Sequence, residues 1–464
     1  MRFKEKFGSH ISYGRDKGAT KENKRLSSSA AKELRDRVQP YFLRRTKSEV
    51  VGAKISNKHE IVVWLRLTNI QQHLYKEFLS TVNYKTWDYG EPFAALKIMR
   101  KICDHPLLLR KRDLSKGIYR KLLHIEEANL VDKLELRMKD VRNTYNFKVE
   151  HEISCKLSFI MSLLGNLIPQ GHHVLIFSGS LKMLDLIQES LLSKGYKFSR
   201  IDGTTKAEDR TKIVDDFQQH AVAPIFLLSS KVGGLGLTLT RADRVIVTDP
   251  DWNPSTDDQI VDRACRVGQA KEVVAYRLIT CGTLEDKAYR KQVFKDGLCK
   301  TGTEHKEKAR HFSWNDHRYP FTPPKKGFDV SVTQQQLEKK YDWEETMDES
   351  FKEHIDFLRS LGIAGVTHHN ELLSIEASDD EDDPENYEAT RTESALYSKR
   401  AKLRSKSSSP NSLGQLSEPF ARKANRDMMD TWSRKLECND VRFAQESNEW
   451  KHKHQRQKTT VQAK

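Results

Sequence analysis

The chain has 464 residues, of which 37% are apolar, below the usual figure of about 45–50%. Because this share is low, a large core is expected for only part of the chain. The length corresponds to about three domains of roughly 150 residues each. Lys and Arg outnumber Asp and Glu by 80 to 65, a net charge of +15. This excess favours a polyanionic partner, most commonly nucleic acid, with a solvated charged surface as the alternative.

Cysteine and hydropathy patterns exclude several classes of protein. The six cysteines are scattered without a C-x-x-C pair, which fits neither a disulfide framework nor a zinc module and indicates a reducing compartment. No apolar run approaches the roughly 18 residues of a membrane helix, and the N-terminus MRFKEKFGSH lacks a signal-peptide core. A soluble intracellular chain without membrane contact is expected.

The first third of the chain predicts helices around one short strand. Residues 1–40 are polar, with helical spacing in SSAAKELRDRV, and EIVVWLRL at 60–67 has the β-rich composition of a strand. Residues 69–110, which include LKIMRKICDHPLLL, predict helix. The charge-dense residues 111–150 predict a surface insertion.

The centre of the chain alternates strands with helices. HHVLIFS, FSRI, PIFLLSS, DRVIVTD and EVVAYRLI predict strands, and LKMLDLIQESLLSKG predicts an amphipathic helix closed by Gly195. TTKAEDRTKIVDDFQQ predicts a second helix, with Thr205 as its N-cap and Glu208 completing a capping box. Continuous apolar strands that alternate with helices are typical of an α/β fold, a parallel sheet with helices on both faces, here at about 155–298.

The remainder of the chain is more polar. Residues 299–369 predict a helical extension, with one helix in QQQLEKKYDWEETMDESFKEHIDFLRSLG. Residues 370–464 predict a largely disordered tail, because they cannot bury enough apolar surface to fold. Within this tail KRAKLR at 399–404 fits a short nuclear-import signal, with a charged linker as the alternative. The predicted domains are 1–60, 61–154, 155–298, 299–369 and 370–464.

Three segments that follow strands of the central domain have an unusual composition. SSKVGGLGLTL at 229–239 packs three glycines into four positions, and glycines let a backbone approach a phosphate closely. DPDWNPSTDDQ at 249–259 places a tryptophan between two prolines. DQIVDRACRVGQ at 258–269 has two arginines three residues apart, a spacing that predicts the same face of a helix, one turn apart.

A resemblance to a known family follows from five motifs. LIFS, RIDGTT, GGLGL, DPDWNP and DRACRVGQ occur in the order and spacing of the C-terminal motor lobe of the Swi/Snf-type ATP-dependent DNA translocases, within the superfamily-two helicases. The chain resembles this family over about residues 41–298, since PYFLRRTKSEV and KICDHPLLL also match its flanking segments. FDVSVTQQQLE and FLRSLGIAGV are most similar to the branch of the mitotic checkpoint helicase and its plant chromatin-remodelling, excision-repair-like relatives. The resemblance implies a RecA-like second helicase lobe, preceded at 1–60 by the end of a first lobe and at 61–154 by a helical brace.

The resemblance also implies roles for individual residues. Arg263 and Arg266 are expected to be arginine fingers that reach across a cleft to the γ-phosphate of ATP and stabilise the spread charge of the transition state. From the residues alone, the alternative is a pair of ordinary surface arginines. Nucleotide-binding positions are expected at Gly234, Gly236 and Gln269, and the two glycines also shape their loop.

A DNA-binding face is implied beside these positions. Hydroxyls, backbone N–H groups and a cation position a duplex without reading its sequence. The expected contacts are Asp202, Gly203, Thr204, Ser229, Ser230, Lys231, Gly233 and Trp252. A core position in the sheet is the alternative for Trp252, and a plain turn is the alternative for Asp202-Gly203-Thr204.

Three positions depart from the family pattern. Gly179 stands where glutamine is usual, Thr238 where asparagine is usual, and Cys265 where an aromatic residue or histidine is frequent. None of them removes a charge directed at phosphate, so we interpret them as drift that weakens coupling to DNA.

The two motifs that hold ATP and Mg²⁺ in such motors are absent from these 464 residues, since neither G-x-x-x-x-G-K-S/T nor D-E-x-H occurs. DGLCKTG at 296–302 is rejected because its Lys-Thr pair follows cysteine rather than glycine and because it lies past the last strand. No metal is assigned, since Asp249 and Asp251 lack a third acid. ATP and Mg²⁺ are therefore expected only together with a missing first lobe, and the chain alone is expected to be inactive.

Two functions from different classes follow. The first is the second lobe of an ATP-dependent double-stranded-DNA translocase or chromatin remodeller in the nucleus, with DNA or chromatin as its partner. The second is a non-catalytic DNA- or partner-binding protein derived from a truncated motor, which would not need two intact arginines. A nucleotide-dependent oxidoreductase is disfavoured, because GGLGLTL precedes a strand rather than a long helix and lacks the third glycine of a dinucleotide fingerprint.

Overall fold

The computed structural model describes residues 3–16, 18–41, 43, 57–81, 91–109, 153–219, 223–233, 236–303, 324, 327–338 and 348–369. The predicted insertion at 111–150 and the predicted tail from 370 onward lie outside these residues. Within them, no helix combines the length and the apolar character that crossing a membrane requires.

One seven-stranded sheet organises the described residues. In chain order its strands are β1 Lys58–Leu65, β2 Val174–Ser178, β3 Phe198–Ile201, β4 Ile225–Ser229, β5 Arg244–Val247, β6 Val273–Thr280 and β7 Gly365–His368. Across the sheet their order is β3-β4-β2-β5-β6-β1-β7. Strands β1 to β6 run parallel, whereas β7 is antiparallel to β1. The predicted α/β class with a parallel sheet is confirmed.

The helices are connected to the strands mostly in the predicted order. They are α1 Ser9–Gly14, α2 Lys21–Val38, α3 Asn69–Thr81, α4 Glu91–Asp104, α5 Cys155–Leu167, α6 Leu181–Ser193, α7 Ala207–Gln219, α8 Ser230–Gly233, α9 Pro254–Val261, α10 Leu284–Thr303, α11 Val332–Glu338 and α12 Glu349–Ser360. A π turn lies at Lys4–Gly8, and 3-10 turns lie at Gln39–Tyr41 and Pro106–Leu108.

Side-chain caps set where several of these helices begin. In five of them an oxygen of the capping residue accepts a backbone N–H of the first turn: Thr20, Ser154, Ser180, Asn253 and Asp348. The capping box predicted at Thr205 differs from the structure. The Thr205 hydroxyl accepts the N–H of Asp202, and helix α7 begins only at Ala207.

Helices cover both faces of the sheet. All residues of β2 and of β4 are buried, as expected for strands without a solvated face. Because alternate side chains point to opposite faces, Val174 and Ile176 join one apolar cluster with α5, α6 and α12, whereas Leu175 and Phe177 join another with α7 and α9. The core therefore consists of two apolar layers with the sheet between them.

Two strands come from outside the central stretch 155–298. Strand β1, which the sequence predicted as a strand, pairs in parallel with β6 along its whole length. Strand β7, which the sequence did not predict, pairs with the other side of β1, from Ile61 opposite His368 to Trp64 opposite Gly365. The segment 299–369 thus contributes a strand as well as helices.

Side chains of β1 and of the residue after it anchor this C-terminal extension. The indole N–H of Trp64 donates to the Thr367 hydroxyl at 2.9 Å. Arg66 donates to three backbone carbonyls of the extension, those of Asp329, Gly362 and Ile363. The extension is therefore bound by hydrogen bonds to the edge of the sheet as well as by apolar contacts.

Two histidines at the contact between the C-terminal extension and the sheet make the stability of the protein sensitive to pH. His354 Nε2 lies 2.7 Å from the Tyr276 hydroxyl, and burial lowers the pKa of His354 to about 4. Burial, and after it the neighbouring His59, also lowers the pKa of His368 to about 4. In the unfolded chain these imidazoles take a proton near pH 6.5. The unfolded state therefore binds more protons between about pH 6.5 and about pH 4, and stability falls as the pH drops through this window.

We expect the free energy of unfolding to decrease by on the order of 3 kcal/mol for each of these imidazoles between about pH 7 and about pH 4, as measured by urea titration. His354→Gln removes one titrating group and should flatten the pH dependence. His10→Gln is the matched control, since His10 is exposed in α1, and it should leave the dependence unchanged. An H354Q chain with the full pH dependence would contradict this prediction.

Candidate functional site at the carboxyl edge of the sheet

The predicted functional loops emerge at one edge of the sheet. They follow the carboxyl ends of β3, β4 and β5, and the carboxyl ends of parallel strands meet at a common edge. The loop after β2 joins them, because the N–H of Gly179 donates to both carboxylate oxygens of Asp249 at 3.1 and 3.0 Å. Segments that are distant in sequence therefore lie side by side here.

The two arginines lie in turns that follow helix α9. This helix begins at the Asn253 cap and ends at Val261. The N–H of Arg263 bonds to the carbonyl of Ile260, three residues back rather than four. The prediction that Arg263 and Arg266 share one face of a helix is therefore wrong, because the helical hydrogen-bond ladder ends before both of them.

Arg263 is buried and forms no ion pair with a described residue. It is 7% exposed, and its Nε is buried with no hydrogen-bond partner. No ion pair within the described part of the chain includes it. Burial, and after it the neighbouring Arg266, lowers the pKa of the Arg263 guanidinium, and the Asp262 carboxylate opposes this shift only in part. Buried charges are normally paired or fully hydrogen-bonded, so an anion at this place would supply a partner that the described residues do not.

Arg266 joins this turn to the glycine-rich loop. Its Nη1 donates to the Thr238 hydroxyl at 2.8 Å and to the carbonyl of Gly236 at 3.2 Å, and its Nε donates to the carbonyl of Asp262 at 3.3 Å. Gly236 has φ +83°, a conformation that favours glycine. Thr238, one of the departures from the family pattern, thus supplies an acceptor for the arginine. Gly234 lies outside the described residues.

The side chain of Gln269 is committed to hydrogen bonds within the protein. Its Nε2 donates to the carbonyls of Ala242 at 2.8 Å and Ala264 at 3.2 Å, and its Oε1 accepts the N–H of Lys271 at 2.9 Å. Gln269 is buried. The amide therefore fixes the turn that carries the arginines, and nucleotide binding by Gln269 stays a prediction.

Strand β4 runs directly into the short helix α8. Ser229, the last residue of the strand, is buried, Ser230 is half-buried, and Lys231 is exposed. Gly233 is the last residue of α8. The surface at this point therefore offers a hydroxyl and a cation, and contact of these residues with DNA stays a prediction.

The Asp202-Gly203-Thr204 turn is closed by its own hydrogen bonds. The Asp202 carboxylate accepts the N–H and the hydroxyl of Thr204 at 2.9 and 2.6 Å and the Nε of Arg200 at 3.0 Å. The Thr204 hydroxyl, followed by further hydrogen bonds that outweigh the effect of burial, holds the pKa of Asp202 below its usual range. Gly203 and Thr204 are exposed. Asp202 thus supports the turn from inside, while its two neighbours face solvent.

Trp252 is half-buried in the loop between β5 and α9, so it is not a core tryptophan of the sheet. The N–H of Asn253 donates to the Asp251 carboxylate at 3.0 Å, and the N–H of Asp251 donates to the Asp257 carboxylate at 3.1 Å. These bonds fix the loop backbone while part of Trp252 remains accessible.

Comparisons with known proteins show which family the chain belongs to. An SNF2-related domain matches residues 2–111, and a helicase conserved C-terminal domain matches residues 155–268. The Arabidopsis thaliana protein CHROMATIN REMODELING 24 is 54% identical over 408 residues, which are 86% of this chain and 37% of that protein. The Mus musculus DNA excision repair protein ERCC-6-like is 38% identical over 408 residues, 81% of this chain and 32% of that protein. The chain belongs to the SNF2 family.

The similarity to chromatin-remodelling and excision-repair-like relatives confirms the predicted branch of the SNF2 family. The chain spans about a third of the length of these curated relatives. Among solved structures, the C-terminal part of the Fun30 ATPase domain is 27% identical. The similarity covers 51% of this chain and 90% of that chain, with a TM-score of 0.41.

Beneath helix α9 the SNF2 lobe contains a buried ionic network that the sequence analysis missed. Arg277 of β6 is 1% exposed, and its Nη2 lies 2.5 Å from the Glu60 carboxylate and 2.9 Å from that of Asp258. Its Nη1 lies 3.4 Å from the Asp257 carboxylate, and Lys58 of β1 also contacts Glu60. An arginine inside the otherwise apolar run VVAYRLIT is the sequence signal that could have indicated this network.

Two members of this network also belong to a cluster of side chains that could coordinate a metal ion. Glu60, Asp258 and His369 place ligand atoms within 4.8 Å of one another. Burial acts to raise the pKa of Glu60, but Arg277 and Lys58 hold it far below its usual range. A divalent cation at this place would lie beside two existing cations, so we assign no metal to the cluster.

Proposed function

We propose that this chain is the second lobe of an ATP-dependent double-stranded-DNA translocase that acts in chromatin remodelling or DNA repair, with Arg263 and Arg266 as its arginine fingers. The observation that carries the proposal is the buried Arg263 guanidinium, whose Nε has no hydrogen-bond partner and which forms no ion pair with a described residue. The names of the relatives, a chromatin-remodelling protein and DNA excision repair proteins, support the biological setting.

The charge of Arg263 explains why a phosphate is the expected partner. A buried guanidinium without a partner opposes folding, because removing a charge from water is costly unless that charge is paired. The γ-phosphoryl group of ATP spreads negative charge over three oxygens in the transition state, and the planar donors of a guanidinium match that distribution. Arg266 adds a second cation and, through Thr238 and Gly236, holds the turn in place.

The remaining contacts with ATP have to come from another lobe. The motifs that hold the phosphates and Mg²⁺ in this superfamily do not occur in the 464 residues. The carboxylates at this edge do not fit Mg²⁺ either, since Asp249 is bound to Gly179 and Asp202 to Thr204. ATP and Mg²⁺ would therefore be held between this lobe and a phosphate-binding lobe, and Arg263 would supply a cation to the γ-phosphate there.

Accessible groups at the same edge fit the backbone of duplex DNA. Lys231 offers a cation, Ser230 offers a hydroxyl, and Gly203, Thr204 and Trp252 are at least partly accessible beside them. Such groups position a duplex without reading its sequence, which suits a motor that has to move along any sequence. The net charge of +15 and the basic segment KRAKLR support DNA or chromatin in the nucleus as the partner.

Joining this chain to a phosphate-binding lobe tests the proposed function. The chain is fused behind the preceding part of the Arabidopsis relative, and ATP hydrolysis is measured with and without duplex DNA. We expect the fusion to hydrolyse ATP when duplex DNA is present and the chain alone to hydrolyse none. A folded fusion that binds duplex DNA without hydrolysis would instead favour the non-catalytic binding protein.

Lys231→Ala tests the DNA face in the chain itself. We expect it to weaken duplex binding and to reduce the slope of log K against log salt by about 1, because one phosphate contact is lost. Fluorescence anisotropy at several salt concentrations measures both quantities. Lys194→Ala is the control, since Lys194 is exposed just past the end of α6, on the amino side of the sheet. An unchanged slope in K231A would remove Lys231 from the DNA face.

A further inference from the structure

The loop at 249–253 is held by a side chain from a distant helix. One nitrogen of Arg100 in α4, Nη2, donates to the carbonyls of Asp249 and Pro250, both at 3.0 Å. The same nitrogen donates to the Asp249 carboxylate at 3.2 Å. The guanidinium is therefore hydrogen-bonded to the first two residues of the loop that contains Trp252.

Asp249 connects Arg100 to a second loop. It is 4% exposed, and its carboxylate also accepts the N–H of Gly179, at 3.1 and 3.0 Å, and the Thr248 hydroxyl, at 2.6 Å. Gly179 follows β2, whereas Asp249 follows β5. Arg100 thus stabilises the relative position of two loops at the functional edge.

Helix α10 holds the same loop from another side. The amide of Gln292 donates to the carbonyl of Asp251 and, at 2.9 Å, to the Asp257 carboxylate. The ammonium of Lys295 lies 3.5 Å from the carbonyl of Trp252. Trp252 is therefore placed between anchors from two helices that contain none of the predicted DNA contacts.

We propose that Arg100 is a positioning residue for DNA binding, which holds the Trp252 loop in the geometry that meets the DNA backbone without touching DNA itself. The inference rests on the DNA face proposed above. A guanidinium suits this task, because it stays charged and its planar donors are pre-organised. A loop that is already fixed before DNA arrives loses less conformational freedom on binding, and affinity rises accordingly.

Arg66 provides a matched control for Arg100. It also donates to backbone carbonyls, those of Asp329, Gly362 and Ile363, at 2.8 to 3.2 Å. These carbonyls belong to the C-terminal extension and to none of the loops at the functional edge. Arg100→Met and Arg66→Met therefore remove the same kind of interaction at two places, of which only one concerns the proposed DNA face.

The experiment compares R100M, R66M and the unmodified full chain by duplex-DNA anisotropy at several salt concentrations and by thermal unfolding. We expect R100M to raise Kd about tenfold, because DNA would then have to order the loop on binding, at a cost on the order of one immobilised side chain. The salt slope should stay unchanged, because no phosphate contact is lost. R66M should lower the unfolding temperature and leave Kd unchanged.

Arg100→Lys is a second variant in case R100M does not fold. Its ammonium keeps a positive charge beside Asp249 but ends one bond short of the position of the Arg100 Nη2, which makes all three contacts, so we expect a rise in Kd that is smaller than for R100M. An R100K chain with the Kd of the unmodified chain would overturn the proposal in that case.

Two other outcomes overturn the proposal. Equal Kd values for R100M and R66M would show that Arg100 serves the fold alone. A salt slope reduced by about 1 in R100M would show that Arg100 contacts a phosphate directly. Trp252→Ala and Lys231→Ala separate this inference from the proposed DNA face. If neither weakens binding, the face itself is wrong, and if both do while R100M does not, only the role of Arg100 is wrong.

Discussion

Replacement of Arg263 by alanine is expected to lower kcat for DNA-stimulated ATP hydrolysis by about 10³-fold or more, with little change in the Kd for duplex DNA. An arginine finger contributes about 10³–10⁵ in rate, and Arg263 forms no ion pair with a described residue that would occupy its guanidinium. Arg263→Lys should recover little of the rate, because an ammonium lacks the planar donors. Steady-state kinetics of the fusion with the phosphate-binding lobe of the Arabidopsis relative measures these values.

Removal of the Arg263 side chain should raise the stability of the protein although it lowers kcat. Arg263→Met removes a buried cation that forms no ion pair with a described residue, at similar volume, so we expect the free energy of unfolding to rise by about 0.5–2 kcal/mol. Arg241→Ala is the control, because Arg241 lies on the amino side of the sheet and is bonded to His173 and Gln218. It should lower stability and leave kcat unchanged. An R263M protein that lost stability and kept its kcat would be evidence of a purely structural arginine.

Patterns that are local in sequence predicted most of the lobe. The apolar runs VLIFS and IFLLS predicted β2 and β4, because strands covered on both faces contain no solvated position. The parallel arrangement then placed the loops after β3, β4 and β5 at one edge. The candidate site was therefore predictable as a set of loops, before any of their contacts was known.

Features that depend on distant contacts could not be predicted. Strand β7 pairs with β1 across most of the chain, and such pairing leaves no local pattern. The R-x-x-R spacing fits a helix and a succession of turns equally well. The carbonyl of Arg263 accepts the N–H of Leu239, so a contact with the glycine-rich loop adds to the hydrogen bonds within the turn. The burial of Arg263, on which the proposed function rests, could therefore not be inferred from the residues of the turn alone.

The largest loss of stability is expected from Arg277→Met. The substitution leaves Glu60 and Asp257 buried with less counter-charge, and removal of one partner of a buried ion pair costs about 3–5 kcal/mol. At roughly 2–4 °C per kcal/mol, the thermal midpoint should fall by about 10 °C. Arg37→Met is the control, since Arg37 and Glu33 form an exposed pair in α2, and it should cost about 0.5 kcal/mol or less.

A double variant tests whether the stability lost with Arg277 comes from its pairing with Glu60. In Glu60→Gln/Arg277→Met the Glu60 charge, which Lys58 alone would otherwise balance, is also removed, so the double variant should recover about 0.5–3 kcal/mol relative to the sum of the two single variants. The network also reaches the arginine turn, because Lys58 lies 3.5 Å from the Asp262 carboxylate. Below its thermal midpoint, a fusion with Arg277→Met should therefore lose kcat while it still binds DNA. Full kcat in a folded R277M fusion would show that Arg263 is held in place without this network.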